Sequence, residues 1–255
     1  VPLYKYLGGQ NHNLRTNLTI GWQETVEKTL EKASEIVEAG FDAIKLKVGR
    51  PLLEDVEHVA AIRAKFGDAV KIKIDSNQGW DYAEAVANIK AMESYHLDYV
   101  EQPLPVWDYA NMPRLRAKVD SPLCADESVF DDKDALKLVA SGAVDYLNIK
   151  LGKSGGISTG LRINAIAEAS GSKCMIGCFS ESRLGLTAAA HLAVARPNIV
   201  FIDLDSAFNF CEDPVVGGLR FDETIGGLIS LTEVPGLGAE IKEGYLDPAE
   251  TIRIC

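Results

Sequence analysis

Short apolar runs recur along this chain about every 25 residues, and most lead into a stretch with helical spacing. No other feature narrows the fold as far. The runs fall at 17–21, 41–47, 71–75, 99–101, 122–126, 145–150, 173–177 and 200–205. Between them, helical spacing predicts helices over 26–37, 82–95, 109–118, 133–140, 157–170 and 184–195, with Gly40 stopping the first. Eight regularly spaced βα units in an α/β chain point to a closed parallel TIM barrel of the (β/α)8 type, here (β/α)7β. The alternative is an open doubly wound sheet. Such a sheet usually carries a Gly-rich first βα turn, and this sequence has none. Residues 1–16 read as a tail, broken by Leu7-Gly8-Gly9, and 17–205 as the barrel. Residues 206–255, rich in Gly and Pro, read as a closing segment with one or two short strands.

Composition excludes several classes of function. A net charge of −11 disfavours nucleic acid as a partner. No run of 18 or more apolar residues is present, so no membrane span is expected. The start, Val1-Pro2-Leu3-Tyr4-Lys5, lacks the pattern of a signal peptide. Cys124, Cys174, Cys178, Cys211 and Cys255 follow no framework spacing and read as reduced, mostly packing residues of a cytoplasmic protein.

In a barrel of this kind the chemistry sits at the carboxyl ends of the strands. Those ends carry Lys45 and Lys47, Asp75 and Asn77, Glu101, Asp126 and Glu127, Lys150, Glu181, then Asp203 and Asp205. A single charge at a strand end is usually a solvated loop. A ring of charges alternating in sign is harder to dismiss. Lys45 and Lys47, two apart on one strand, project to the same face. Asp75, Glu101 and Asp126 close three successive strands. Their convergence would demand a hard dication, and oxygen-only ligation favours Mg2+, with Mn2+ as the substitute.

The lysines fall on either side of that acidic trio. A lysine is a poor base at its free pKa of about 10.4. Partial burial beside a dication and a second lysine can bring it toward about 7 to 8. Lys47 and Lys150 across a metal-bound carboxylate would then form a two-base site. One removes an α-proton and the other returns a proton to the opposite face.

These residues resemble the enolase superfamily, and within it the muconate-lactonizing subgroup. The motifs are Lys45-Leu46-Lys47, Ile74-Asp75-Ser76-Asn77-Gln78-Gly79-Trp80, Val100-Glu101-Gln102-Pro103, Ala125-Asp126-Glu127-Ser128, and Asn148-Ile149-Lys150 with Gly155-Gly156-Ile157. The mandelate-racemase subgroup would place a His at the end of the seventh strand, where this chain reads Gly177-Cys178-Phe179-Ser180-Glu181. Ile202-Asp203-Leu204-Asp205 resembles the dipeptide epimerases, the group that includes L-Ala-D/L-Glu epimerase. Thr19-Ile20 resembles that group as well. The resemblance implies that Asp203 and Asp205 hold the α-ammonium of a dipeptide.

Two departures stand out. The family carries an N-terminal α+β capping domain that this chain lacks, so residues 1–16 are expected to be the connector that follows it. Ser180 stands where the L-Ala-D/L-Glu enzymes tend to have an apolar residue, which bears on side-chain preference.

The reading that follows is a Mg2+-dependent isomerase that epimerises a small dipeptide by 1,1-proton transfer through an enediolate. Lys47 and Lys150 act as bases, Lys45 lends positive charge, and Asn77 and Glu181 give hydrogen-bonding support. Asp75, Glu101 and Asp126 hold the metal, and Asp203, Asp205, Thr19 and Ser180 meet the substrate. A homo-oligomer is compatible with the sequence. The rivals are o-succinylbenzoate synthesis or muconate cycloisomerisation, whose substrates lack an ammonium, and a non-catalytic barrel remnant.

Overall fold

The computed structural model describes residues 1–50 and 52–247. Cys255 and the final part of the expected closing segment, 248–255, lie outside the described residues.

Eight parallel strands lie in chain order in one sheet. They are β1 (Leu18–Ile20), β2 (Ala43–Lys47), β3 (Lys71–Asp75), β4 (Leu97–Glu101), β5 (Leu123–Ala125), β6 (Tyr146–Ile149), β7 (Lys173–Ile176) and β8 (Ile199–Ile202). The ring closes through a parallel bridge between Thr16 and Ile202, with the Thr16 hydroxyl accepting from Leu204 N at 2.8 Å. The open-sheet alternative is thereby removed. Lys47 pairs in register with Asp75, and Asp75 with Glu101, so these three ionisable residues stand side by side on the rim.

Local chemistry sets the helices between the strands. Thr25 caps Val26–Glu38, its hydroxyl accepting from Lys28 N at 3.3 Å. Asp81 and Glu84 form a reciprocal capping box ahead of Tyr82–Met92. Gly40, at φ +90°, ends the first of these helices where Gly226 passes; a Cβ there would meet Gly226 N at 2.8 Å. The expected helix over 109–118 is instead a 3₁₀ stretch, Val106–Asn111, running into the short α-helix Met112–Arg116 with Pro113 in its first turn.

Alternation along the strands sorts side chains into two sets. Ile44, Leu46, Ile72, Ile74, Val100, Leu123, Leu147, Ile149 and Ile176 join one continuous apolar core with the helices. Tyr99, Cys124 and Met175, with Tyr146 and Phe201 against them, form a separate cluster. This second cluster plugs the barrel interior below the charged rim.

The two ends depart from expectation. Residues 1–16 hold a helical turn, Leu3–Tyr6, and a short strand, Leu14–Arg15. Tyr4 is fully buried, stacked on His191 with ring centroids 5.7 Å apart, and its hydroxyl donates to Glu233 at 2.6 Å. One buried aromatic anchors a segment whose polar, glycine-broken sequence reads as a tail. Among its described residues the C-terminal segment has four short strands rather than one or two. Val215–Gly217 pairs with Ala239–Ile241, and Leu228–Ser230 lies between Leu14–Arg15 and Arg220–Phe221. Cys124 and Cys174 are buried and Cys178 is half-buried, but Cys211 is exposed. Among the described residues no helix is long and apolar enough to cross a membrane.

Candidate active site

A cavity of about 480 Å³ opens at the carboxyl ends of the strands. Lys45, Lys47, Asn77, Asp126, Lys150, Ser180, Thr19, Asp203 and Asp205 all line it, joined by Glu127, Phe130, Lys153, Cys178 and Phe179. Asp75 and Glu101 are fully buried beneath its floor. Nearly every residue singled out in the sequence thus comes to one place. Glu181 does not. It accepts from Phe179 N at 3.3 Å and turns toward Gly185, where a Cβ would sit 2.8 Å from its Oε2. Glu181 thus braces the loop that carries Ser180.

The lysines are held by carboxylates. Lys47 donates to Asp75 Oδ2 and to Asn77 Oδ1, both at 2.6 Å. Asn77 in turn donates to Glu127 at 3.1 Å. Lys45, buried, is paired with Asp203 and lies 3.6 Å from Glu101 and 3.8 Å from Asp75. Burial works against its charge, but Asp203, Glu101 and Asp75 outweigh this and hold its pKa well above the ordinary lysine value. Lys150 donates to Asp126 Oδ2 at 2.7 Å, and its ammonium stands 5.0 Å from the Phe179 ring centre.

Burial pulls the Lys150 pKa down, yet Asp126 and Glu101 raise it above the usual value, because its nearest neighbour is an anion. Asp126 shows the converse. Burial raises its carboxyl, but Lys153 and Lys150 bring it down to about 2.

Lys153 carries no role in the sequence reading. Its side chain is buried, one helical turn beyond Lys150, and donates to Asp126 Oδ1 at 2.5 Å. Its three-residue spacing from Lys150 on the short helix Leu151–Ser154 was the available signal. Two further residues brace the rim unannounced. Gln102, in the left-handed region at φ +36°, accepts from Asp126 N at 2.9 Å and Ser128 N at 3.1 Å. Asn148 donates to Glu101 Oε1 at 2.6 Å, and Gly177 leaves it room, since a Cβ there would lie 2.6 Å from Asn148 Oδ1.

The aspartates after β8 divide. The strand ends at Ile202, so the rule that residues two apart on a strand share a face does not govern Asp203 and Asp205. Asp203 is buried and accepts from Asn17 Nδ2 at 2.6 Å as well as from Lys45. Burial raises its pKa, but Lys45 and Asn17 more than reverse this. Asp205 accepts from Thr19 N at 2.9 Å, and burial followed by repulsion from Asp203 pushes its carboxyl up. Thr19 thus reaches the site through its backbone. Deeper in the barrel, burial brings Lys73 down to about 8 against the pull of Asp203 and Asp98.

The expected metal ligands do not converge as they stand. Among the described residues no three His, Cys, Asp or Glu side chains are grouped with the spacing of a metal site. The physical reason is ion pairing: Asp75 is drawn to Lys47, and Asp126 to Lys150 and Lys153. The donor set still fits a hard dication. All three groups are carboxylates at neighbouring strand ends, and Glu101 Oε2 is buried with no hydrogen-bond partner. Burial, then Asp75, push Glu101 up to about 8, a carboxylate short of positive charge.

Comparison with known proteins places this geometry. A hydrophobic dipeptide epimerase of Enterococcus faecalis is 43% identical over 239 residues, 93% of this chain and 67% of that protein. The L-Ala-D/L-Glu epimerase of Bacillus subtilis is 39% identical over 241 residues, 93% of this chain and 65% of that protein. The chain therefore spans about two thirds of the length of these curated relatives. The solved structure of a dipeptide epimerase from Cytophaga hutchinsonii, in complex with Mg and the dipeptide D-Ala-L-Val, superposes with a TM-score of 0.93 at 37% identity. That match covers 98% of this chain and 67% of the other. Residues 28–245, which hold the ring of lysines and carboxylates, match the family described as Enolase C-terminal domain-like, and the chain belongs to that family.

Proposed function

We propose that this chain is the barrel portion of a Mg2+-dependent dipeptide epimerase, an isomerase that inverts the α-carbon of the dipeptide's C-terminal residue by 1,1-proton transfer. One observation carries the reading. Lys47 and Lys150 project from the ends of the second and sixth strands of an eight-strand ring and line the same cavity. They lie on opposite sides, so each can reach only one face of a planar α-carbon between them.

In this reading Asp75, Glu101 and Asp126 would hold the dication. Bound there, it would supply positive charge to the substrate carboxylate and so acidify the α-C–H. The lysines do the remaining work. Lys150 is protonated while paired with Asp126; a competing cation on that carboxylate would free it to give up its proton and act as a base. Lys47, held by Asp75 and Asn77, delivers or removes the proton on the other face. Lys45 is fixed below them and lends positive charge to the developing anion.

Asp205, together with Asp203, receives the α-ammonium. Asp205 accepts from Thr19 N and, more weakly, from Cys178 Sγ at 3.9 Å, and no lysine ties it down, so it is the more available of the two. Ser180, exposed on the rim, and the aromatic rings of Phe130 and Phe179 border the space for side chains. The relatives' additional third supports the view that a capping segment completes the site. Residues 1–16 would be its connector, 17–205 the barrel and 206–255 the closing segment.

A dipeptide library incubated in D2O and read by mass spectrometry tests this. A substrate should gain one deuterium at the C-terminal residue's α-carbon as its configuration inverts. Uptake only by substrates lacking an ammonium would favour the cycloisomerase or synthase chemistry instead.

A further inference from the structure

A polar chain runs down from the substrate cavity into the barrel. Lys73 Nζ donates to Asn17 Oδ1 at 2.9 Å, Asn17 Nδ2 donates to Asp203 Oδ1 at 2.6 Å, and Lys45 donates to Asp203 Oδ2. Lys73, Asn17 and Asp203 are all buried. Lys73 lies among aromatic rings, its ammonium 5.0 Å from the Phe201 ring centre and 5.7 Å from that of Tyr99. Asn17 is fully buried between the two charged groups, so its hydrogen-bond polarity is set by them. An ammonium only donates and a carboxylate only accepts. An amide between them has one workable orientation, oxygen toward Lys73 and nitrogen toward Asp203. With Lys73 gone, the Asn17 amide could flip and present its oxygen to the carboxylate, which would turn a charge-assisted bond into a repulsion.

We infer that Lys73 and Asn17 are positioning residues for ammonium recognition: Lys73 fixes the Asn17 amide, and the amide fixes the Asp203 carboxylate at the cavity floor. The inference rests on the reading of Asp203 as part of the ammonium site. Neither residue touches the substrate. With Oδ1 held by Asn17 and Oδ2 by Lys45, Asp203 keeps one lone pair on each oxygen for the cavity, at a fixed angle.

The test measures dissociation constants for a dipeptide the protein turns over and for its desamino analogue, in which hydrogen replaces the ammonium. The wild type should prefer the dipeptide. Lys73→Met should weaken the dipeptide by about tenfold, the scale of one charge-assisted hydrogen bond, and leave the analogue unchanged. Lys73→Arg, which keeps a donor, should retain the preference. In an Asp203→Asn background Lys73→Met should have no further effect. Asn17→Ala breaks the same link from the other side and is read in the same way if Lys73→Met does not fold.

Equal weakening of both ligands would mark Lys73 as merely structural and overturn the inference. So would an undiminished effect in the Asp203→Asn background, or no effect at all. A wild type that binds both ligands equally would overturn the ammonium reading itself, and this inference with it. A wild type that discriminates, with Lys73→Met and Asn17→Ala discriminating equally well, would overturn the inference alone.

Discussion

The same strands present two faces that obey opposite rules. Outward, β2 to β7 give Ile44, Leu46, Ile72, Ile74, Val100, Leu123, Leu147, Ile149 and Ile176 to one apolar core shared with the helices. Inward, they give an aromatic plug and above it a layer of buried ions: Lys45, Asp75, Glu101, Asp126 and Lys150. The outer face is packed by dispersion and water exclusion. The inner face leaves Glu101 Oε2 and Asn148 Oδ1 buried without partners. Stability resides outside the sheet, and inside it has been given up for a concentrated field of charge.

The largest expected effect lies on the inner face. Replacing Lys47 or Lys150 with Ala should abolish epimerisation, with losses of at least about 10² to 10⁴-fold, since inversion needs both an acid and a base. Each variant should keep one base. Lys150→Ala should still exchange the α-proton of one substrate epimer with D2O, and Lys47→Ala that of the other. Thermal melting should show both folded. If both variants exchange the same epimer, the assignment of opposite faces is wrong.

The outer face should answer in the opposite way. Leu147→Ala deletes a fully buried side chain beside Asn148 and should cost about 2 to 5 kcal/mol in denaturant unfolding. The surviving folded fraction should keep its affinity for substrate. A change in substrate affinity as large as the change in stability would show that the two faces are not separable.

Glu101→Gln tests the claim that the inner face gives up stability. The carboxyl it replaces is buried, its pKa pushed up to about 8 by burial, with one oxygen unpaired. The variant should melt at the same temperature as the wild type or higher, by the order of 1 to 2 kcal/mol. Its Mg2+ affinity, read by calorimetry without substrate, should fall by at least about tenfold, one hard ligand of three being lost. A variant that melts lower and binds Mg2+ normally would reverse the assignment.

How much of this was legible follows the same division. The eight-fold spacing is a property of the outer face, where long apolar runs signal themselves, and the ring of strands matches it closely. The ionisable residues at the strand ends were legible because charge beside an apolar run is conspicuous. Lys73 escaped notice though it stands two residues before Asp75, the parity that singled out Lys45 and Lys47. It lies at mid-strand, where a lysine reads as a surface residue. Asn17, Asn148 and Gln102 carry no charge to draw the eye; their roles depend on which atoms face them across the ring. Tyr4 was hidden for another reason: a four-residue helix has no periodicity to detect, and its partner His191 lies 187 residues away.

The smallest expected effect sits at an exception within the outer layer. His58, on the helix Leu52–Phe66, is buried and its Nδ1 meets the Thr29 hydroxyl of the helix Val26–Glu38 at 2.5 Å. Burial, with Arg50 adding to it, lowers its pKa below the ordinary histidine value, against the pull of Glu54, Glu57 and Glu27. The unfolded chain therefore takes up a proton on this imidazole at a pH where the folded chain does not. Stability is unaffected well above pH of about 6.5, falls as pH drops through that value, and levels off once the folded form is protonated too. Melting curves between pH 7.5 and 5 on the order of half a unit apart should show this slope, and His58→Gln, which keeps a hydrogen-bonding group for Thr29 but cannot titrate, should flatten it. An unchanged slope would place the acid sensitivity elsewhere, with His191 against Tyr4 as the next buried imidazole of the helix layer to test.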